Sequence, residues 1–418
     1  MNLWKKIQKI VNKREEITGD ITEKTPENAT EKLLSVAGKA NGEEIARLIQ
    51  EGADVNATDE YMFDGYGQTP LMIAAEYNSN PEAAAILIGA GADVNAKIDD
   101  RWALKQCWIK EEKNSIPKIS RDLIKYAAEI GADPEYENTP LSLAARFNSN
   151  PDVLRVLIEN GANLLAAGKY GVTPLMCVAM KNSSPENLMI LIEKGADVNA
   201  AADNGMTPLM FAARFNSNPQ IPTVLIELGA KIDAVDKNGN TILMQAAHNE
   251  KNPEVIMALM KRRADVNAVC MDGRAPLMLV AKNFSNPEVL MALMKQGADI
   301  NAACHDGMTP LMYAAQNFSH PEILMALIEQ GADVNAACHN GMTPLMYAAQ
   351  SNSNPDILRL LIKEGAKVNA VCRNGWTSLM YAGKINSNPE IPQILLDNGA
   401  TAPINRKRKK SARSRKGK

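Results

Sequence analysis

Few residues in this chain have side chains suited to chemistry, and most of those that do recur at a fixed spacing. Among the six cysteines and four histidines, the pairs Cys304-His305 and Cys338-His339 stand 34 residues apart and offer two possible metal ligands each. Neighbouring residues in an extended turn point to opposite sides, however, so such a pair does not converge on one ion. A histidine that is present in two copies is also poorly suited to a unique catalytic role. We therefore predict no metal site and no catalytic histidine here.

Other enzyme-like patterns are incomplete. The segments Gly65–Gly67 and Gly89–Gly91 begin like phosphate-binding loops, but both lack the third glycine and the preceding strand. The acidic Gly-Ala-Asp segments recur along the chain and resemble solvated turn groups more than an acid/base pair with separated pKa values. We expect a protein without catalysis and without a cofactor.

Four cysteines share the 34-residue step: Cys270, Cys304, Cys338 and Cys372. Adjacent copies of a helical repeat stack about 8–10 Å apart, beyond the roughly 7 Å between Cα atoms that a disulfide tolerates. We predict a ladder of free thiols along the turn edge, and its simplest explanation is duplication of one cysteine-bearing copy.

The same step runs through most of the chain, and it fixes the architecture. One position shows it without a break: Thr139, Thr173, Thr207, Thr241, Ala275, Thr309, Thr343 and Thr377. Such a period predicts stacked repeats, in which each unit buries its apolar face against its neighbours.

The unit that opens at Thr309 predicts helix, loop, helix and turn. Pro310 suits the first position of a helix, and residues 311–315 carry a narrow Leu/Ala stripe that allows close helix packing. Pro321 opens a second helix, Gly331 ends it in the left-handed region, and the following Asn-Gly is typical of a tight turn.

The TPLMYAA opening and GADVNA close of this unit resemble the ankyrin repeat over residues 32–403. The resemblance implies an all-α ankyrin repeat solenoid of about eleven helix-turn-helix units with β-turn or hairpin fingers. The units open near residues 32, 69, 103, 139, 173, 207, 241, 275, 309, 343 and 377. The loop between helices is one residue longer than usual for the family.

The family's histidine after TPL is methionine in most copies, and we expect a less rigidly tied turn in an intact fold. The positions are Met72, Met176, Met210, Met244, Met278, Met312, Met346 and Met380.

The sequence divides into residues 1–16, 17–31, 32–403 and 404–418. The first segment reads as a basic amphipathic helix, which caps the array or lies on a membrane surface, and the second as a linker. The last segment holds nine Lys or Arg and no acid, so we expect a disordered tail. Such a tail attracts nucleic acid, an acidic partner or an anionic membrane, and it resembles a nuclear-localisation signal. Alternatively, it only solubilises the chain or folds onto its own acidic array.

For this family, the resemblance implies a concave groove lined by the turns and the first helices. We predict that a protein partner binds an aromatic and methionine strip there; its members are Tyr313, Tyr347, Tyr381, Trp376, Met308, Met342, Phe211, Phe215, Tyr61, Phe63 and Tyr66. Such a strip is also compatible with a core role. We favour recognition because other Leu and Ala positions already fill the core and tyrosine is enriched at binding hot spots.

These features favour a protein–protein interaction scaffold, with an adaptor docked through its basic termini as the alternative. No apolar run approaches the roughly 18 residues of a membrane span, and the first residues lack a signal-peptide core. We expect a monomeric cytoplasmic protein, or alternatively a secreted effector that enters a host cell or nucleus.

Overall fold

Short helices in pairs make up the fold. The structure, a computed structural model, describes residues 26–59, 67–98, 139–168, 170–181, 184–284, 287–316 and 321–401. Within those ranges twenty helices form ten helix-turn-helix pairs. The helices are α1 Pro26–Val36, α2 Gly42–Gln50, α3 Pro70–Tyr77, α4 Pro81–Gly89, α5 Pro140–Phe147, α6 Pro151–Glu159, α7 Pro174–Lys181, α8 Pro185–Glu193, α9 Pro208–Phe215, α10 Gln220–Glu227, α11 Ile242–Ala246, α12 Pro253–Lys261, α13 Pro276–Asn283, α14 Pro287–Lys295, α15 Pro310–Gln316, α16 Pro321–Glu329, α17 Pro344–Ser351, α18 Pro355–Lys363, α19 Ser378–Lys384 and α20 Glu390–Asp397.

The chain divides into two compact units, residues 1–231 with α1–α10 and residues 232–418 with α11–α20. In the first unit, α3 packs on α5, α5 on α7 and α7 on α9. In the second, α13 packs on α15, α15 on α17 and α17 on α19. First helices thus stack on first helices within each unit, which confirms the predicted all-α repeat architecture.

Threonine and proline set where the first helices begin. Thr343 has an extended backbone, and its hydroxyl accepts a hydrogen bond from the backbone N–H of Met346, with Pro344 at the first helical position. A cap of this kind stabilises a helix by about 1 kcal/mol. The recurring Thr-Pro pair therefore restarts a helix in six of the nine described pairs that follow α1–α2.

The methionine that replaces the family's histidine takes part in this cap. The backbone N–H of Thr69 donates to the sulfur of Met72 at 3.5 Å, and Thr173 donates to Met176 at 3.4 Å. Where Ser142 stands at the same position, its hydroxyl accepts the equivalent bond at 2.8 Å. The tie at the helix start is therefore kept by the thioether at a greater length.

Buried or half-buried asparagines in the loops between helices join consecutive pairs at the ends of the first helices. The amide of Asn352 donates to the carbonyl oxygen of Ala315 at 3.2 Å, and that of Asn386 donates to Ala349 at 3.0 Å. These carbonyls lie at the ends of first helices and have no partner within their own helix. The Asn-rich loops between helices thus close the ends of the preceding pair.

A second set of asparagines joins the pairs near the ends of the second helices. The amide of Asn301 donates to Gly331, and its oxygen accepts from the backbone N–H of Asp333. Six more asparagines make the same double contact: Asn56, Asn95, Asn199, Asn267, Asn335 and Asn369. We call these the bridging asparagines. Their position is held by Leu165 in the first unit and by Asp233 in the second.

The bridging contacts also show which pairs are neighbours. Asn95 bonds directly to Gly161 and Asn163, and Asn148 bonds to the carbonyls of Ala75 and Asn78. The pair α3–α4 is therefore the immediate neighbour of α5–α6. The described residues hold ten pairs, in keeping with the prediction of about eleven units. The unit predicted to open at residue 103 falls within residues 99–138, which lie outside the described residues.

Helix α1 begins at Pro26, six residues before the predicted start of the array at residue 32 and inside the segment 17–31 that was predicted as a linker. The predicted helix at 1–16 and the predicted tail at 404–418 lie outside the described residues.

Candidate binding surface

The segment that joins the second helix of one pair to the first helix of the next forms a tight turn, which we call a finger. In the finger of residues 302–308, the N–H of Cys304 donates to the carbonyl of Met308, and the N–H of Gly307 donates to that of Cys304. Gly307 has φ +77°, and a Cβ there would lie 2.8 Å from the backbone nitrogen of His339. Glycine is therefore required at this tip by both its conformation and its neighbour.

Fingers of the second unit are also hydrogen-bonded to one another. The N–H of His305 donates to the carbonyl of Asp272 at 2.9 Å, and the N–H of His339 donates to that of Asp306 at 2.9 Å. The same bond recurs for Met271 and Arg373, which donate to Asn238 and Asn340. Successive fingertips are thus held in line by their backbones, independently of the side chain each one carries.

Beneath these fingers, three cysteine thiols contact three tyrosine hydroxyls. The sulfur of Cys304 lies 3.7 Å from the oxygen of Tyr313. In the next two pairs, Cys338 and Tyr347 lie 3.5 Å apart, and Cys372 and Tyr381 also lie 3.5 Å apart. The fourth cysteine of the step, Cys270, has Leu279 where the others have tyrosine. The predicted thiol ladder is therefore buried and tied to the first helices.

These contacts change how the phenols ionise. Burial, together with the hydrogen bond to Cys372, raises the pKa of Tyr381 to about 12. Burial and the thiol contacts also raise the pKa of Tyr313 and Tyr347 above the usual range. Burial opposes ionisation of Cys372, but its hydrogen bonds to Tyr381 and to nearby backbone lower its pKa overall.

Four of the eleven residues in the predicted recognition strip are buried, which does not favour direct recognition at those four positions. Tyr347, Tyr381, Met342 and Phe211 each expose less than a tenth of their surface. The hydroxyl ends of Tyr347 and Tyr381 lie beneath the fingers, where they contact the buried thiols of Cys338 and Cys372. For these positions the core interpretation, which the sequence also allowed, is the one that fits.

The remaining strip residues are half-buried or lie outside the described residues. Met308 and Tyr313 pack against the cluster formed by Ala275, Met278 and Cys304. Trp376 and Phe215 are half-buried as well. Tyr61, Phe63 and Tyr66 lie in the segment 60–66, which the structure does not describe.

Two aromatic pairs form among the strip residues, one in each unit. In the second unit the rings of Trp376 and Tyr381 lie 4.9 Å apart between centroids, and the ammonium of Lys384 lies 4.9 Å from the Trp376 ring. In the first unit the rings of Phe211 and Phe215 lie 6.1 Å apart. Both distances are typical of paired aromatic rings.

The exposed residues of the fingers were missed by the sequence analysis. At the tips of the second unit, the 34-residue step places Lys237, Met271, His305, His339 and Arg373, all exposed. The sequence signal was present, because the residue just before the Asp-Gly or Asn-Gly turn is among the most variable of the unit.

Exposed aliphatic residues accompany these fingertips two positions earlier. Val235, Val269 and Val371 expose more than half of their side chains, and Met271 at a tip exposes 66%. The cysteine between Val371 and Arg373 is buried. The predicted alternation of neighbouring turn residues, such as Cys304 and His305, is therefore confirmed.

Within the described residues, no group of three or more His, Cys, Asp or Glu is placed to hold a metal ion. In the same part of the chain, no helix has the length and apolar character needed to cross a membrane.

Comparison with protein families identifies the repeated pair. A model of ankyrin repeats, built from three copies, matches residues 11–98, 115–202, 175–270, 243–338 and 327–407. A search of curated proteins found no match to this chain.

Proposed function

The chain belongs to the ankyrin repeat family, and we propose that it is a non-catalytic scaffold that holds a partner protein against the fingers of residues 232–401. Ankyrin repeats are typically protein–protein interaction modules and are usually not catalytic. A fold alone does not identify a partner. The proposal therefore concerns which surface binds, and the identity of the partner is left to experiment.

The observation that carries the proposal is a fixed backbone with variable tips. Within the second unit, the same N–H to carbonyl bond positions each fingertip, whether the residue is Met271, His305 or Arg373. Because the backbone of this row is already ordered, the row loses little backbone entropy when it binds. It is therefore suited to specific recognition of a folded or extended protein surface.

Apolar side chains beside the fingertips provide nonpolar surface that a bound partner would bury. Val269, Val371 and Met271 are exposed. Trp376 lies in a finger and Tyr313 on the first helix next to one, and both are half-buried. Tyrosine, tryptophan and methionine are enriched at the cores of interfaces. In this proposal Met308, Tyr313 and Trp376 remain contact residues, whereas the buried Tyr347 and Tyr381 support the fingers from below.

Affinity capture with two matched variants tests the proposal. The fingertip variant carries Met271→Ser, His305→Ser, His339→Ser and Arg373→Ser. The control carries Met257→Ser, Met291→Ser, Met325→Ser and Arg359→Ser, four exposed residues of second helices at the same step. We expect the fingertip variant to lose specific proteins that the wild type and the control retain. Equal recovery by both variants would exclude the fingers as the binding surface.

The basic tail needs a separate arm of the experiment. Capture should persist after deletion of residues 404–418. It should also fall less steeply with salt than tail-driven binding, because the fingertips carry two permanent cations, Lys237 and Arg373, against nine in the tail. Binding that disappears with the tail and falls steeply with salt would instead favour the adaptor function.

A further inference from the structure

Sulfur is unevenly divided between the core and the surface. The described cysteines are all buried, namely Cys177, Cys270, Cys304, Cys338 and Cys372. The methionines that follow the Thr-Pro-Leu starts of first helices, such as Met346, are fully buried as well. The most exposed sulfur among the described residues belongs to Met271, which exposes 66% of its surface. Because buried thiols are inert, an oxidant that meets the folded protein reacts with this thioether first.

Met271 occupies a fingertip that the backbone holds in place. Its N–H donates to the carbonyl of Asn238 in the preceding finger at 2.8 Å. Val269 stands two positions earlier and is exposed, while the intervening Cys270 is buried. Alternate residues of an extended segment face the same side, so Val269 and Met271 form one apolar surface. A change of polarity at Met271 therefore alters an apolar part of the fingers.

The chemistry available to this side chain is a two-electron oxidation. Hydrogen peroxide transfers one oxygen atom to the thioether: the O–O bond breaks, an S–O bond forms, and water leaves. The sulfur is oxidised and the peroxide is reduced. The product, methionine sulfoxide, is polar and chiral, and methionine sulfoxide reductases return it to the thioether with electrons from a thiol.

Oxidation at this position leaves the packing of the repeats intact. The bond that holds the fingertip uses the backbone N–H of Met271 and not its sulfur. At the buried Met346, by contrast, a sulfoxide would place a polar oxygen in the core, where it is costly without a partner. Met271 is thus a place where oxidation changes the surface and spares the fold.

We propose that Met271 is an oxidation switch of the fingers. Peroxide converts it to the sulfoxide in the folded protein, and the sulfoxide weakens the contact with a partner until a reductase restores the thioether. The modification of Met271 is independent of any partner. Its effect on binding rests on the proposed function, because it needs a protein bound at the fingers.

A row of methionines on the second helices provides an internal comparison. Met257, Met291 and Met325 share one position of α12, α14 and α16, and they expose 39%, 41% and 44% of their surfaces. Peroxide should modify them too, but they lie on helices and not in the fingers. Met271→Leu keeps an apolar fingertip that cannot form a sulfoxide. After treatment, this variant carries sulfoxides on the helices and none at the fingertip.

Peptide mapping by mass spectrometry tests the modification in the full-length protein. The folded wild type is treated with hydrogen peroxide, and the sulfoxide fraction at each methionine is followed with time. Met271 should oxidise at least about tenfold faster than Met346, which reacts only when the structure opens. In urea the two should react at similar rates. Reductases for both sulfoxide epimers should reverse the change at Met271, and the circular dichroism spectrum should stay constant throughout.

Affinity capture with untreated and oxidised samples tests the effect on the fingers. We expect the oxidised wild type to recover its specific proteins about fivefold less well, the size expected when one interface residue is lost. Oxidised Met271→Leu should recover them as the untreated variant does. Reductase treatment of the oxidised wild type should restore recovery.

Different results would overturn the two parts of the proposal. Equal rates for Met271 and Met346 in the folded protein, or faster loss of the buried thiols, would exclude Met271 as the site of modification. Equal recovery from oxidised wild type and oxidised Met271→Leu would exclude its control of binding. If untreated wild type captures no specific protein, the proposed function fails and the switch with it, whereas mass spectrometry still decides where the oxidant reacts.

Discussion

The side-chain nitrogen of Asn301 lies 3.0 Å from the carbonyl oxygen of Gly331 in the following pair. The side-chain oxygen of Asn301 also accepts a bond from Asp333 at 2.9 Å. Both bonds are exposed to solvent, so together they should contribute about 1–2 kcal/mol. We expect Asn301→Leu to lower the free energy of unfolding by this amount in urea denaturation. As a control, Ala303→Leu changes an exposed residue two positions later and should have little effect. An equal loss of stability in both variants would contradict a specific role for the bridging bonds.

Leu165 stands where other pairs have a bridging asparagine, and it allows the reverse experiment. This leucine is 67% exposed at the position of a bridging asparagine in the first unit. Leu165→Asn should create the missing bonds to Gly195 and Asp197 and raise stability by about 1 kcal/mol. Thermal unfolding would measure the gain, and Leu165→Gln, which is too long for the same geometry, serves as the control. No gain for asparagine over glutamine would show that these pairs do not need the bridge.

Asp233 also replaces a bridging asparagine, and the residue it would bond to, Arg263, has a strained backbone. Arg263 has φ +63°, the position at which Gly331 and its equivalents are found in the other pairs. A non-glycine residue in this region costs about 1 kcal/mol, so Arg263→Gly should stabilise the second unit by a similar amount. Asp233 is the residue that would bridge to it, and within the described residues it makes no hydrogen bond. Asp233→Asn combined with Arg263→Gly should therefore exceed either change alone, as a double-mutant cycle in urea would reveal.

The sequence predicted the repeated pair correctly because its determinants are local. Thr343 and Pro344 start a helix, and Gly331 ends one, through contacts within a few residues. The number of stacked pairs is not local. It depends on whether Asn95 meets the next segment of the chain or one 66 residues away, and only the folded contacts decide this.

The direct contact between Asn95 and Gly161 also predicts the effect of removing residues 97–138. Replacing residues 97–138 with the six-residue finger 201–206 should leave α3–α4 stacked on α5–α6, because Asn95 and Asn148 already join the two pairs directly. We expect the free energy of unfolding to change by less than about 1 kcal/mol. Urea denaturation with circular dichroism would test this. A large fall in stability and in the m-value would show that a stacked unit had been deleted.

The residues proposed to contact a partner were harder to identify from the sequence than the fold. Tyr313, Tyr347 and Tyr381 occupy one position of the unit, and a tyrosine suits both a core and an interface. The deciding contact is with a cysteine nine residues earlier in each case, across a turn whose geometry the sequence does not specify. Exposed fingertips such as His305 and Arg373 could have been recognised by their variability between copies.

The buried thiol–phenol pairs make stability depend on pH in the alkaline range. The pKa of Tyr381 is about 12 in the folded protein, against about 10 in an unfolded chain. Between these values the unfolded chain releases its proton first, so the stability that this phenol contributes is intact below about pH 10 and is lost as pH rises further. Tyr381→Phe cannot ionise, and we expect the alkaline fall in stability to be shallower than in the wild type. Urea denaturation at several pH values would measure the two slopes, with tyrosinate absorbance reporting ionisation directly. Identical slopes would mean that Tyr381 ionises as freely in the folded protein as in the unfolded chain, and that its contact with Cys372 does not hold the proton.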